Sequence, residues 1–330
     1  MQPIRKILVA VKNPDLRRHA VYDKAIRLAK SLDASVEFYH AISDPVFMGV
    51  QPLAGQSIAD IKRDALALRQ KRLDRLIDRA CNLGVASSAT VEWDFPPHEA
   101  IVRRAVRIRA DLVIAECHAG SRKQWFMRLT DWELLRASPV PVLLLKTSRP
   151  WRRNSVLAAV DPSHAHSKPS RLDSLIVEKG KQLADALDGT FHLMHAASPP
   201  AFGVSFADPA LDGVTLAAAY KQQTARARGD FAAFAESAKV PAKRRHVIDR
   251  DPAIGIPAVA KAVGADVIVM GAVSRSGIKR LLIGNTAERV LNSIPCDVLV
   301  VKPAHLERRV ASSSRGMRLV APQPLIPLPF

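Results

Sequence analysis

The sequence predicts an α/β protein built from two parallel-sheet domains in tandem, and three observations predict it. The chain repeats itself at an offset of about 155 residues: TDWELLRASPVPVLLLK at 130–146 matches NTAERVLNSIPCDVLVVK at 285–302. That distance is too long for a solenoid unit and right for a duplicated domain. Three further matches keep the same order: ILVAVKNP (7–14) with VLAAVDPS (156–163), ASVEFYHA (34–41) with GTFHLMHA (189–196), and FPPHEAIVRRAVRIRADLVIAE (95–116) with DPAIGIPAVAKAVGADVIVMGA (251–272). Within each half, strand-sized apolar runs alternate with segments of helical period. The runs are continuous rather than alternating, so their strands are buried on both faces, as in a parallel sheet covered by helices on each side.

Each element of the first half has its own signal. IRKILVAV is a buried strand. PDLRRHAVYDKAIRLAKSL carries Ala20, Ala25, Ile26 and Leu28 on one helical face. ASVEFYHA is the next strand. The stretch 43–57, with Pro45, Gly49, Pro52 and Gly55, reads as a loop, and a long helix follows from about Ser57 to Leu83, stopped by Gly84. A strand near 88–93, a helix near 97–109, the strand DLVIAE, a last helix and the strand VPVLLLK complete the unit. The second half repeats the order. The expected organisation is therefore a first domain at 1–147, a linker SRPWRRNS at 148–155, a second domain at 156–303 and a tail at 304–330. The tail is rich in Ser, Arg and Pro and lacks helical period, so it is expected to be flexible.

Composition removes several classes of function. Hydrophobic residues make up 48% of the chain, which suits two ordinary globular cores. No apolar run approaches the ~18 residues of a membrane span, and the N-terminus enters a strand directly without a leader cleavage site. Cys81, Cys117 and Cys296 are far apart and form no C-x-x-C, so they read as buried or semi-buried thiols in a reducing cytoplasm. The net charge of +18 is spread out, +9 in 1–150, +6 in 151–303 and +3 beyond. With no aromatic-interleaved patch or reading motif beside it, that charge reads as solvated helix faces rather than a nucleic-acid surface.

The chemistry concentrates in VIVMGAVSRSGIKRLLIGNTAERVL, 267–291. A buried strand leads into Gly271, Gly277 and Gly284, where backbone can approach a ligand closely. Asn285 is the expected N-cap of the next helix, with Glu288 at the capping-box position. A glycine before a fresh helix N-terminus offers unpaired N–H groups to an anion.

These residues resemble the universal stress protein family, and the tandem arrangement resembles its two-domain E type. The nucleotide-binding members carry G-x2-G-x9-G-[S/T/N], and this chain has Gly271-x2-Ser274-x9-Gly284-Asn285, with Ser274 replacing the second glycine. The resemblance covers nearly all of 4–303. It implies two flavodoxin-like domains of the adenine nucleotide alpha hydrolase type, each a five-stranded parallel sheet in the order 3-2-1-4-5. It implies pairing through the last strands, VPVLLLK with DVLVVKP, as an internal pseudo-dimer, with a homodimer as the other arrangement open to it. It also implies an ATP-like adenine nucleotide, accompanied by Mg2+, held by Ala159, Asp161, Ala196, Met270, Gly271, Ser274, Gly277, Gly284, Asn285 and Thr286. Asp161 stands equally well as a cap of the following turn.

The first half departs from this pattern. Lys12 replaces Asp161, Glu116 replaces Gly271 and Leu129 replaces Gly284, while Thr130-x-x-Glu133 keeps a helix start. That half is expected not to bind ATP in the family's manner. His40 and His195, at equivalent strand ends, read as histidines satisfied by backbone. His164 and His166 lack a third metal ligand, and no metal site is expected. Arg275, Lys279 and Arg280 surround the glycine motif. Trp125 and Trp132 read as packing residues. No nucleophile elbow, Walker sequence or G-x-G-x-x-G is present, and no general base with a pKa-shifting partner is readable, so a slow ATPase is the most that is expected of it as an enzyme. The expected function is a cytoplasmic stress-response sensor or adaptor that binds an adenine nucleotide. The alternatives are a binder of a lipid-like or other apolar molecule, with SPPAFGVSFADPALDGVT (198–215) lining a cleft, and a nucleic-acid-associated stress factor.

Overall fold

The computed structural model describes residues 3–15, 20–43, 58–117, 125–162, 171–197, 213–271, 285–302 and 310. In the first half the elements are β1 (Lys6–Ala10), α1 (Ala20–Leu32), β2 (Ser35–Ile42), α2 (Ile58–Asn82), β3 (Ser87–Trp93), α3 (Pro97–Arg107), β4 (Leu112–Glu116), α4 (Trp125–Ala137) and β5 (Val142–Leu145). The second half repeats them as β6 (Ser155–Ala159), α5 (Leu172–Ala186), β7 (Thr190–Ala196), α6 (Gly213–Ser237), β8 (Arg245–Ile248), α7 (Pro252–Val263), β9 (Val267–Gly271), α8 (Asn285–Ser293) and β10 (Asp297–Val301).

The ten described strands join one sheet in the order β3-β2-β1-β4-β5-β10-β9-β6-β7-β8. Each half is parallel and has the expected order 3-2-1-4-5. The halves meet where β5 and β10 pair antiparallel, with Leu143 opposite Leu299. The pleat sends alternate residues to opposite faces. Ile7 and Val9 enter one core with residues of α1, α2, α5 and α6, while Leu8 and Ala10 enter the other with residues of α3, α4, α7 and α8. Both cores draw residues from both halves, so the apolar layers cross the seam. Among the described residues no helix is long and apolar enough to cross a membrane.

Local chemistry explains where elements stop. Asp251 caps α7 by accepting from the Ala253 N–H at 2.8 Å, and Pro252 occupies the first turn, where its missing N–H costs nothing. Gly264 ends α7 in the left-handed region at φ 61°, and the Gly264 and Ala265 N–H groups return to the Lys261 and Ala260 carbonyls.

The seam carries buried charge. Lys24 of α1 and Asp297 of β10 form an ion pair at 2.6 Å, 3% and 0% exposed. The Lys24 ammonium also donates to the Thr147 carbonyl and hydroxyl, while Asp297 accepts from the Lys146 and Thr147 N–H groups and from the Trp151 indole. Two lysines reach across in opposite directions. Lys146, after β5, donates to the Leu291 and Ile294 carbonyls at the end of α8, and Lys302, after β10, donates to the Arg136 and Ser138 carbonyls at the end of α4. Each half thus supplies the cation that the other half's helix C-terminus favours.

Candidate functional site

β6 pairs in parallel with β7 on one side and β9 on the other, so their carboxyl ends open on the same edge of the sheet. Strand order reverses between β6 and β9, and open α/β sheets bind ligands in the crevice at such a point. The structure brings five of the sequence-designated residues to this edge. Ala159 and Ala196 are half-buried at the ends of β6 and β7, Met270 is buried and Gly271 half-buried at the end of β9, and Asp161 lies two residues beyond β6. Ser274, Gly277 and Gly284 lie outside the described residues, as do Arg275, Lys279, Arg280, His164, His166 and the 198–212 stretch. Asn285 and Thr286 lie in α8, which follows the motif in sequence.

Gly271 has a packing reason that the sequence did not reveal. A Cβ at this position would lie 2.7 Å from Leu172 Cδ2 and 3.2 Å from Ile176 Cδ1, so α5 closes onto the end of β9 only over a glycine. This closeness requires no ligand.

Asp161 is steadied from α5 as well. Its N–H donates to Asp173 Oδ1 at 3.2 Å, and its side chain remains 35% exposed at the rim. Asp173 was missed by the sequence reading, although an acidic residue in the first turn of the helix after β6 was visible. Below Asp161, His195 is buried, donates from Nδ1 to the Val160 carbonyl at 3.0 Å and stacks on Phe231. His40 repeats this bond to the Val11 carbonyl at 2.8 Å. Both histidines are therefore held by backbone. With Nδ1–H donating to that carbonyl, Nε2 is shielded from solvent and has no hydrogen-bond partner among the described residues.

The corresponding edge of the first half is built differently. Residues 125–129 are already helical, so Thr130, the expected helix start, lies inside α4. The sequence WFMRL contains neither glycine nor proline, and with Leu129 in place of Gly284 nothing stops the helix from extending backward. The strand ends of the first half hold charge and bulk. Burial and the charge of Glu116 push the Tyr22 phenol upward, and burial with Asp131 nearby pushes the Cys117 thiol up to about 12. The Lys12 ammonium is shielded from solvent and has no hydrogen-bond partner among the described residues. Trp132 is partly buried against the core of α3 and α4, a packing role.

One expectation about the thiols needs correction. Cys81 is exposed, on the last turn of α2, whereas Cys117 is half-buried and Cys296 buried. Among the described residues no group of three or more His, Cys, Asp or Glu side chains is placed to hold a metal ion.

Known proteins share this architecture. Universal stress protein E of Escherichia coli K12 is 25% identical over 299 residues, covering 90% of this chain and 93% of its own. The universal stress protein E homolog of Haemophilus influenzae is 23% identical over 315 residues, covering 91% and 98%. A crystal structure of a functionally unknown protein from Pseudomonas aeruginosa PAO1 superposes with a TM-score of 0.68 at 24% identity, over 92% of this chain and 94% of that one. A universal stress protein from Archaeoglobus fulgidus superposes at 0.58 with 16% identity, over 91% and 97%, so these structures share the fold. The model of the universal stress protein family matches twice, over residues 3–146 and 153–302. With a family match across both halves and the duplicated fold behind it, the chain belongs to the universal stress protein family.

Proposed function

We propose that the second half binds an adenine nucleotide of the ATP type at the carboxyl ends of β6, β7 and β9, and that the chain works in the cytoplasm as a stress-response sensor or adaptor. The observation that carries this reading is the shared edge at the reversal of strand order, where Ala159, Asp161, Ala196, Met270 and Gly271 meet at the carboxyl ends of β6, β7 and β9. The sequence leading into α8 ends in Gly284 and Asn285, and a helix N-terminus there would offer its N–H groups to a phosphate, whereas the equivalent position in the first half, Leu129, lies within α4. The small side chains of Ala159 and Ala196 suit a flat base, and the one-third-exposed Asp161 carboxylate suits a hydrogen-bond donor at the rim. Ser274, Gly277, Gly284, Asn285 and Thr286 are the proposed phosphate side of the site, and Mg2+ would come with the phosphates it neutralises. The nucleotide supplies a phosphate chain whose charge the protein reads, and Asp161 and the α8 N-terminus orient it.

The domain boundaries proposed from the sequence, 1–147, 148–155, 156–303 and 304–330, assign one nucleotide to the whole chain. Calorimetric titration of the intact protein with ATP tests this, with Gly284→Leu as the control that copies the first half's own residue. The expected result is one site in the wild type and none in a Gly284→Leu variant that retains its circular dichroism. Unchanged ATP binding by that folded variant would move the site elsewhere.

A further inference from the structure

The second half has a basic cleft on the edge of the sheet opposite the nucleotide crevice. It measures about 590 Å³, within the range of small-molecule sites. The linker forms one wall, with Arg149, Trp151, Arg152 and Arg153, and the end of α7 forms the other, with Lys261 and Gly264. Among the described residues Asp266, at the amino end of β9, is the single carboxylate of the lining.

That carboxylate is already committed. It accepts from the Arg153 N–H at 2.9 Å and, more weakly, from the Arg152 and Ser155 N–H groups at 3.4 Å. The side chains of Arg149, Arg152, Arg153 and Lys261 have no hydrogen-bond or ion-pair partner among the described residues. They are not needed to cap α7, because the Gly264 and Ala265 N–H groups already satisfy its last carbonyls. The glycine has a further effect. A Cβ on Gly264 would lie 2.3 Å from Arg153 Nη1, so the guanidinium rests against bare backbone in the cleft wall. In the first half the Asp111 carboxylate takes the Arg5 and Lys6 N–H groups in the same way, but Arg109 itself holds the left-handed position, at φ 55°. The arrangement of a guanidinium laid over a glycine therefore belongs to the second half alone.

We propose that this linker cleft is a second ligand site, for a small polyanion bearing phosphate groups. Four cations against one committed carboxylate favour more than one negative charge, and guanidinium forks match phosphate oxygens in pairs. The site is separate from the nucleotide crevice, at the amino rather than the carboxyl ends of β6 and β9, and does not depend on nucleotide binding there.

Pyrophosphate is the probe, titrated calorimetrically at physiological salt into the full chain carrying Gly284→Leu, so that the nucleotide crevice does not contribute. The expected result is one saturable site, weakened at least tenfold by Arg149→Ser/Arg152→Ser. Because both arginines are exposed, this variant should keep the parent's thermal melt. Gly264→Ala, which displaces the Arg153 guanidinium, should weaken binding as well. Parallel titrations with glycerol phosphate and sulfate separate the sources. Tighter glycerol phosphate binding assigns the site to an organic phosphate, and tighter pyrophosphate binding assigns it to an inorganic one. Equal weak binding of all three, no saturation, or saturation unaffected by the arginine substitutions would overturn the proposal and leave the cations as solvated surface charge.

Discussion

Replacing Asp297 with asparagine tests the charge at the seam most directly. All of the contacts to Asp297 come from donors: the Lys24 ammonium and the Trp151 indole on Oδ2, and the Lys146 and Thr147 N–H groups on Oδ1. An asparagine amide must turn its NH2 against one of those pairs, and it leaves the Lys24 ammonium, 3% exposed, without an anion. Removing one partner of a buried ion pair costs about 3–5 kcal/mol. For cooperative units of ~150–250 residues each kcal/mol moves Tm by ~2–4 °C, so the melting temperature should fall on the order of 10 °C. Thermal unfolding followed by circular dichroism and by tryptophan fluorescence is the assay, since Trp151 reports the seam itself. In a cycle with Lys24→Met, the double variant should cost less than the sum of the singles by roughly 0.5–3 kcal/mol. A drop in Tm below about 2 °C for Asp297→Asn would mean that solvent or rearrangement satisfies Lys24 and that the buried pair contributes little.

Four other outcomes follow from the same structure. Lys302→Met keeps the side chain's length but strips donors from the Arg136 and Ser138 carbonyls, and should cost about 1–3 kcal/mol in a urea melt; no change would mean that water caps α4 equally well. The His192 and His246 rings bond at 3.0 Å and burial lowers both pKa values from 6.5. The unfolded chain therefore binds more protons, so their contribution is complete above about pH 6.5 and is lost as the pH falls through the depressed values. Chemical denaturation at pH 8 and pH 5.5 should show this loss in the wild type and less of it in His246→Gln. A thiol reagent should label Cys81 rapidly in the native chain but not Cys117 or Cys296, whose thiols burial pushes up to about 12; mass spectrometry of the labelled peptides decides. Ser274→Gly should tighten ATP binding modestly by calorimetry if the side chain obstructs the phosphates, and a loss of affinity would instead make its hydroxyl a donor.

The sequence alone determined the duplication, the element order and the parallel character of each half. Those properties depend on local apolar runs and on collinear self-matches such as ILVAVKNP with VLAAVDPS, which need no knowledge of distant contacts. It also located the difference between the halves at Gly284 and Leu129, because glycine has a local backbone meaning. The consequence of that difference was not legible. Whether α4 would begin at Thr130 or extend back to Trp125 depends on what a longer helix packs against, and the Thr130-x-x-Glu133 capping signal lost to the helix-forming residues before it. Gly271 was read as backbone left bare for a ligand, yet it is also the only residue over which Leu172 can close, a contact between residues about a hundred positions apart. Lys146 and Lys302 stood at matching ends of the repeat, but their partners, the last carbonyls of the other half's helix, appear only once β5 and β10 are paired. The linker cleft likewise needs Arg153 and Gly264 brought together across 111 positions of sequence. Periodicity records which face of an element is apolar. Which distant element covers that face, and which polar groups are buried there, is decided when the chain packs in three dimensions.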